Sequence, residues 1–158
     1  MFRRLVFTCA LLWGSVAFAA TTPNSFITPQ IPNRGLVQFL QGTDAPSTFK
    51  TLYTAGANGS RCYSIWSSNT DPSPHSVYVI LVNGGVKYYG YVFTSVVGAG
   101  SSPATPAQNV LSGFVGLPVD EYGNSYIQMI SGDTLQAQYT TALTAGQFIG
   151  LVATCSDF

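Results

Sequence analysis

Hydrophobic and polar residues alternate in short runs along this chain, and clusters of turn-forming residues separate the runs. The clearest case is residues 77–93, where two β-rich arms flank Asn83-Gly84-Gly85. Asn and Gly tolerate the positive φ angles of a type I′ turn, so the segment predicts a β-hairpin. Successive side chains of a strand point to opposite faces. Sorted in this way, one face carries Val77, Val79, Leu81, Val86, Tyr88 and Val92, and the other carries Tyr78, Ile80, Val82, Tyr89, Tyr91 and Phe93.

Both faces of this hairpin are apolar, whereas a hairpin with one face in water alternates apolar and polar residues. The hairpin therefore either lies at the centre of a two-layer fold, with both faces covered, or turns its second face to another subunit. We predict that this second face is an interface or binding surface, formed by Tyr78, Ile80, Val82, Tyr89, Tyr91 and Phe93.

The rest of the chain predicts further short strands at residues 35–40, 48–54, 61–67, 126–130, 134–139 and 147–155. Residues 97–108 are rich in Gly, Ser, Ala and Pro and predict a long surface loop. Residues 109–116 fit either a short helical turn or an edge segment. About eight short strands separated by turn clusters predict an all-β fold, an antiparallel β-sandwich of jelly-roll-like type.

The N-terminus has the pattern of an export signal. Arg3 and Arg4 precede an apolar run, and Ala17-Phe18-Ala19 places small residues where a signal peptidase reads them. A retained anchor is the alternative, but the run is shorter than the roughly 20 residues that a spanning helix needs. We therefore predict a signal peptide at 1–19, a proline-rich extended arm at 20–34 and a sandwich domain at 35–158. The mature chain is expected to lack a transmembrane segment and to be secreted, periplasmic or on the cell surface.

The charge content limits the partners. Loss of Arg3 and Arg4 leaves four basic and six acidic residues, with no basic cluster. Nucleic-acid binding needs a positive surface, so we expect no nucleic-acid partner. Only 8% of the residues are charged, against roughly 25% in typical soluble domains. The surface is therefore polar through uncharged side chains, or it is partly buried by assembly.

Two cysteines, Cys62 and Cys155, remain after cleavage of the signal. An exported chain enters an oxidising compartment, where two cysteines usually pair, so we predict a Cys62–Cys155 disulfide. The alternative is two separate buried thiols, since cysteine packs well in cores.

Four turn-rich stretches resemble a pattern in small, mostly uncharacterised all-β proteins of tailed phages and prophages. They are Tyr53-Thr54-Ala55-Gly56-Ala57-Asn58-Gly59-Ser60, Gly116-Leu117-Pro118-Val119-Asp120, Ser131-Gly132-Asp133-Thr134-Leu135 and Asp157-Phe158. The likeness covers residues 35–158 in order and spacing, and it implies a virion-surface or head-decoration role. The chain departs from the pattern by its export signal and its cysteine pair.

Catalytic signatures are weak. His75 is the single histidine, and the Pro-rich segment around it predicts a solvated loop residue rather than a triad base with Asp71. Asp120, Glu121 and Asn124 resemble a calcium loop only loosely, since they lack the spacing of a known motif. Asp133, which follows a glycine, is interpreted as a turn residue. No phosphate-binding, dinucleotide or zinc pattern occurs, so we expect a non-enzymatic protein without a cofactor or metal.

Two classes of function remain. The first is a structural protein that forms homo-oligomers or coats a larger surface. The alternative is a carbohydrate- or ligand-binding module, because aromatic residues on β-strands can stack on sugars and also anchor protein interfaces.

Overall fold

The computed structural model describes residues 31–158, apart from the side chain of Tyr89. These residues form nine strands: β1 Ile31–Leu40, β2 Lys50–Thr54, β3 Ser60–Asn69, β4 His75–Asn83, β5 Val86–Ser95, β6 Gln108–Asn109, β7 Ile127–Met129, β8 Asp133–Tyr139 and β9 Phe148–Asp157. One 3₁₀ turn spans Leu111–Gly113. The predicted all-β fold is confirmed. The predicted signal peptide and residues 20–30 of the arm lie outside the described residues.

The strands form two antiparallel sheets. Sheet A has the order β1-β9-β3-β6, with β7 also paired to β3, and sheet B has the order β2-β8-β4-β5. The pairs nest along the chain: β1 with β9, β2 with β8, β3 with β6 and β7, and β4 with β5. Folding this long nested hairpin over brings β9 beside β3 and β8 beside β4. The topology is that of a jelly roll.

The core lies between the sheets because the strands alternate buried and exposed positions. In β8, Leu135, Ala137 and Tyr139 point inward, while the residues between them are half-buried on the outer face. β9 buries Ile149, Leu151, Ala153 and Cys155 on one side, as its sequence pattern predicts. The two inner faces meet in a single hydrophobic core.

The first strand begins at Ile31 rather than at residue 35, so the last four residues of the predicted arm belong to sheet A. Proline is tolerated here because β1 is an edge strand and Pro32 lies near its start. β1 also contacts the neighbouring sheet. A Cβ atom on Gly35 would lie 1.9 Å from the carbonyl oxygen of Leu52 in β2. Glycine therefore permits the close approach that closes this side of the sandwich.

The β2–β3 turn is fastened to the end of β9. Oδ1 of Asp157 accepts hydrogen bonds from the Tyr53 hydroxyl and from the Ser60 hydroxyl, each at 2.5 Å. Burial alone would raise the pKa of Asp157, but the bonds from Ser60, Tyr53 and Asn33 outweigh it, so the pKa lies below its usual value. Two of the stretches that resemble phage proteins thus meet in a contact between the sheets.

Cys62 and Cys155 lie opposite each other on neighbouring strands β3 and β9. Their Sγ atoms are at disulfide-bonding distance, 2.00 Å, and both residues are fully buried. Among residues 31–158, no helix is long and apolar enough to span a membrane.

Candidate binding surfaces

The predicted hairpin is formed by β4 and β5, and its turn is the expected one. Gly84 and Gly85 have φ angles of 54° and 81° between the paired residues Asn83 and Val86. The register then shifts: Val82 pairs with Lys87, but Leu81 pairs with Tyr89. This β-bulge places one extra residue in β5, and a one-residue slip exchanges the two faces of a strand.

The bulge makes the predicted grouping of side chains wrong. Beyond it, Tyr91 pairs with Val79 and Phe93 pairs with Val77, both of which are fully buried. Tyr91 and Phe93 therefore lie on the inner side of the sheet, packed against the core. The Tyr91 ring stacks on Phe114, with centroids 4.1 Å apart. The side chain of Tyr89 lies outside the described part of the structure.

The remaining predicted residues, Tyr78, Ile80 and Val82, lie on the outer face of sheet B, where their partners in β8 are polar. The side chain of Ile80 packs over Gly90. A Cβ atom added to Gly90 would lie 2.6 Å from Cγ2 of Ile80. Ile80 and Val82 are each only 7% exposed and Tyr78 is half-buried. The six predicted residues therefore do not form one exposed face; whether any of them contacts a partner stays a prediction.

The side chains of Lys87 and Phe49 extend towards each other across the outer face of sheet B. Lys87 belongs to β5 and Phe49 immediately precedes β2, which are the two ends of this sheet. Nζ of Lys87 nevertheless lies 4.0 Å from the centroid of the Phe49 ring. This cation–π contact turns the charge of Lys87 towards the middle of the sheet and away from the β5 edge.

The edge of sheet B at β5 is the first exposed apolar surface. β5 is the terminal strand of its sheet and is ten residues long. A groove of about 240 Å³ lies between β5 and residues 108–114 and is lined by Val92, Phe93 and Phe114. Exposed apolar side chains occur along β5 and in the segments that flank this groove: Val86, Tyr88, Val92, Val96, Val97 and Val115.

The outer face of sheet A carries the second exposed apolar surface. Leu36, Val152 and Trp66 form one row across β1, β9 and β3. Leu36 and Trp66 are exposed by 69% and 43%. The neighbouring row, Gln38, Gly150 and Ser68, has a depression of about 420 Å³, and the Ser68 hydroxyl lies over Gly150. Sequence reasoning missed this row because only one residue of each strand contributes to it.

His75 is buried, so the prediction of a solvated loop residue is wrong. It opens β4 and is 3% exposed, and Asp71 beside it is fully buried. Nε2 of His75 lies 3.4 Å from Oδ1 of Asp71, without hydrogen-bond geometry. Burial alone would raise the pKa of Asp71, but hydrogen bonds from the backbone N–H groups of Thr144 and Ser73 outweigh it, so the pKa is lowered.

The Asp71–His75 pair does not form a triad with any described residue. No hydroxyl or thiol group hydrogen-bonds to either nitrogen of the His75 ring, and a triad needs a nucleophile within that reach. Asp71 instead holds the β8–β9 loop, since its Oδ2 accepts a hydrogen bond from the backbone N–H of Thr144 at 2.5 Å. Asp71 therefore joins the β3–β4 loop to the β8–β9 loop.

Asp120 and Asp133 each accept hydrogen bonds from the backbone of their own turn, and Asp133 also accepts one from the Asn83 side chain. Asp120 accepts hydrogen bonds from the backbone N–H groups of Tyr122 and Asn124. Asp133 accepts one from the backbone of Ile130, which confirms its interpretation as a turn residue. Within residues 31–158, no three His, Cys, Asp or Glu side chains come together in a group able to hold a metal ion.

Comparisons with known proteins do not assign this chain to a family. No protein-family model matches the chain, and no curated protein matches its sequence. Among solved structures, the chain is similar to one described as "Acidic stable capsid structure of Helicobacter pylori bacteriophage KHP30", with a TM-score of 0.42 and 10% identity over 82% of this chain and 90% of that chain. A likeness at this level supports no inference about this chain. The resemblance to phage proteins therefore stays a prediction from the sequence.

Proposed function

We propose that this chain is an exported, non-enzymatic structural protein that assembles with copies of itself or onto a larger surface. The observation that carries the proposal is the run of exposed apolar side chains along and beside the terminal strand β5, which includes Tyr88 and Val92. Natural sheets usually protect such an edge, and exposed apolar surface rimmed by polar groups is typical of interaction sites.

The low charge content supports the same proposal. Only 8% of the residues are charged, and several of these charges bind within the chain. Nζ of Lys50 contacts Asp44 at 2.6 Å, and Lys87 lies over Phe49. Net charge opposes association between two copies of a protein. Few charges of this chain therefore remain to repel a second copy from the exposed apolar surfaces. A virion surface is the setting that the sequence resemblance implies.

The proposal is tested with the mature protein, residues 20–158, by size-exclusion chromatography with light scattering. We expect a mass that is a multiple of the protomer mass, falling as the protein is diluted. A mass equal to one protomer at all concentrations up to the millimolar range would contradict self-association. Binding to a larger surface would then be the only part of the proposal left.

A second candidate function is carbohydrate binding, and the row on sheet A favours it. The ring of Trp66 is exposed beside the depression at Gly150, where Gln38 and Ser68 supply polar groups. Aromatic rings next to polar groups suit the mixed surface of a sugar. Retention of the wild type on a glycan column, lost in Trp66→Ala and kept in Tyr122→Ala, would establish this function; Tyr122 is a matched control because it is also exposed.

A further inference from the structure

We propose that β5 pairs antiparallel with β5 of a second copy, so that two four-stranded B sheets join into one continuous sheet. The inference rests on the proposed self-association and names the surface that produces it. The occupant of the β5 edge is thus this same chain, related by a two-fold axis, which is the commonest symmetry among homo-oligomers.

The choice of β5 follows from comparing the edges of the two sheets. β1 and β2 lie against each other, with Gly35 at the carbonyl oxygen of Leu52, so that side of the sandwich is closed. The other edge of sheet A is formed by β6 and β7, which are only two and three residues long. β5 has ten residues, and no other strand of the described chain pairs with its outer side. Among the strands of residues 31–158, it is the one long edge with room for a further strand.

The sequence of β5 does little to prevent such pairing. Natural edge strands are protected by charges, prolines or bulges. The bulge and the single charge, Lys87, lie near the start of β5, and the charge is drawn over the sheet to Phe49. Residues 88–94 contain neither a charged residue nor a proline. Their outward backbone N–H and C=O groups form a ladder that another strand can complete.

The sequence of β5 is also compatible with antiparallel pairing to β5 of a second copy. In an antiparallel pair over residues 88–94, each Lys87 lies opposite residue 95 of the other copy, so the two lysines are at opposite ends, roughly 26 Å apart at 3.3 Å per residue. Like charges that face each other across two strands destabilise the pairing. This register keeps the two lysines apart. In this register Tyr88 lies opposite Thr94 and Val92 lies opposite Gly90, so no charged side chain meets another across the pair. A foreign strand is not needed to complement this edge.

The test introduces one lysine into the β5 edge and compares the resulting oligomeric mass with that of variants that carry a lysine elsewhere on the protein. Val92→Lys changes an exposed residue of β5, and Tyr88→Lys is a second variant in the same strand. The matched control is Thr51→Lys, because Thr51 is exposed on β2, at the opposite edge of the same sheet. Leu36→Lys reports on the exposed row of sheet A. Circular dichroism and thermal unfolding confirm that each variant folds.

We expect light scattering to show halved mass for Val92→Lys and Tyr88→Lys, through a dissociation constant raised by about tenfold or more, since edge lysines oppose strand pairing. Thr51→Lys and Leu36→Lys should keep the wild-type mass. An oligomer that persists in both β5 variants, or that dissociates only in Leu36→Lys, would overturn strand pairing but leave self-association standing. A monomeric wild type would overturn both.

Hydrogen exchange supplies an independent readout. Backbone amides on the outer side of β5 should exchange slowly when the wild type is concentrated and should lose that protection on dilution. In Val92→Lys they should exchange rapidly at both concentrations. Protection of β5 that does not change with concentration in an oligomeric wild type would show that the edge is not the contact, and would overturn the inference.

Discussion

Two carboxylates, the half-buried Asp157 and the buried Asp71, join segments that are distant in sequence. Asp157 ties Tyr53 of sheet B to Ser60 of sheet A, and Asp71 ties the β3–β4 loop to Thr144. Each carboxylate receives several hydrogen bonds, which offsets the cost of burying its charge. At the scale of single residues, the acidic side chains thus stabilise the fold.

Replacing Asp71 with Asn tests this role. Asn keeps the shape but sets an amide donor against the N–H groups of Thr144 or Ser73, so we expect a loss of about 2–3 kcal/mol in the free energy of unfolding at pH 7. The folded-state pKa of Asp71 is lowered. Its stabilising effect is therefore present above the unfolded pKa of about 3.9 and is lost as the pH falls through the folded value.

Urea unfolding of the wild type and Asp71→Asn at pH 7 and at lower pH measures both effects. The difference between the two proteins should shrink in acid. The control is Glu121→Gln, because Glu121 is an exposed carboxylate, and it should change little at either pH. A constant difference at all pH values would show that the charge of Asp71 does not stabilise the protein.

The burial of His75 could not be predicted from its neighbours. Pro72, Ser73 and Pro74 are typical of a solvated loop, and no local pattern shows that this loop folds inward. The inward turn depends on Asn69 and Asp71, which bond to the backbone of Ser73. It also depends on Thr144, which is far away in sequence. Replacement of a buried His75 should therefore destabilise the protein, unlike that of a surface histidine.

At the scale of elements, strand patterns and turn residues predicted most of the sandwich. The Asn83-Gly84-Gly85 turn and the alternation in β9 are as expected. The bulge in β5 was not predictable, because Tyr88 and Tyr89 fit either side of a strand equally well. One extra residue then exchanged the faces of Tyr91 and Phe93. A strand-pairing register that depends on packing between apolar side chains cannot be predicted from the alternation of polar and apolar residues alone.

The segment after β6 seals the inner side of β5 through Phe114. This residue is nearly buried and stacks on Tyr91, whereas the adjacent Val115 is 93% exposed. We expect Phe114→Ala to lower the free energy of unfolding by about 3–5 kcal/mol, because it removes a large core side chain. Val115→Ala, the matched control, should stay within about 0.5 kcal/mol of wild type. Thermal or urea unfolding of the two variants measures these free energies. Equal losses of stability in both variants would show that Phe114 does not seal the inner side of β5.

At the scale of the whole molecule, the jelly-roll topology joins the beginning of the described chain to its end. β9 lies between β1 and β3, and the Cys62–Cys155 pair connects β3 to β9. The strands β4 to β8 thus lie between the two cysteines, which are 93 residues apart in the sequence. A bond that closes so long a loop restricts the unfolded chain strongly, by about 4–5 kcal/mol in the chain-entropy model.

Export and cross-linking are therefore expected together, since the bond forms only in an oxidising compartment. Intact mass of the secreted protein should correspond to a chain beginning at Ala20, with two fewer hydrogens than the reduced form. Reduction should lower the free energy of unfolding by up to about 4–5 kcal/mol. The double variant Cys62→Ala, Cys155→Ala is the control and should not respond to the reductant. Two thiols that alkylate freely in the unreduced, unfolded protein would contradict the cross-link, because buried thiols become accessible on unfolding whereas a disulfide does not.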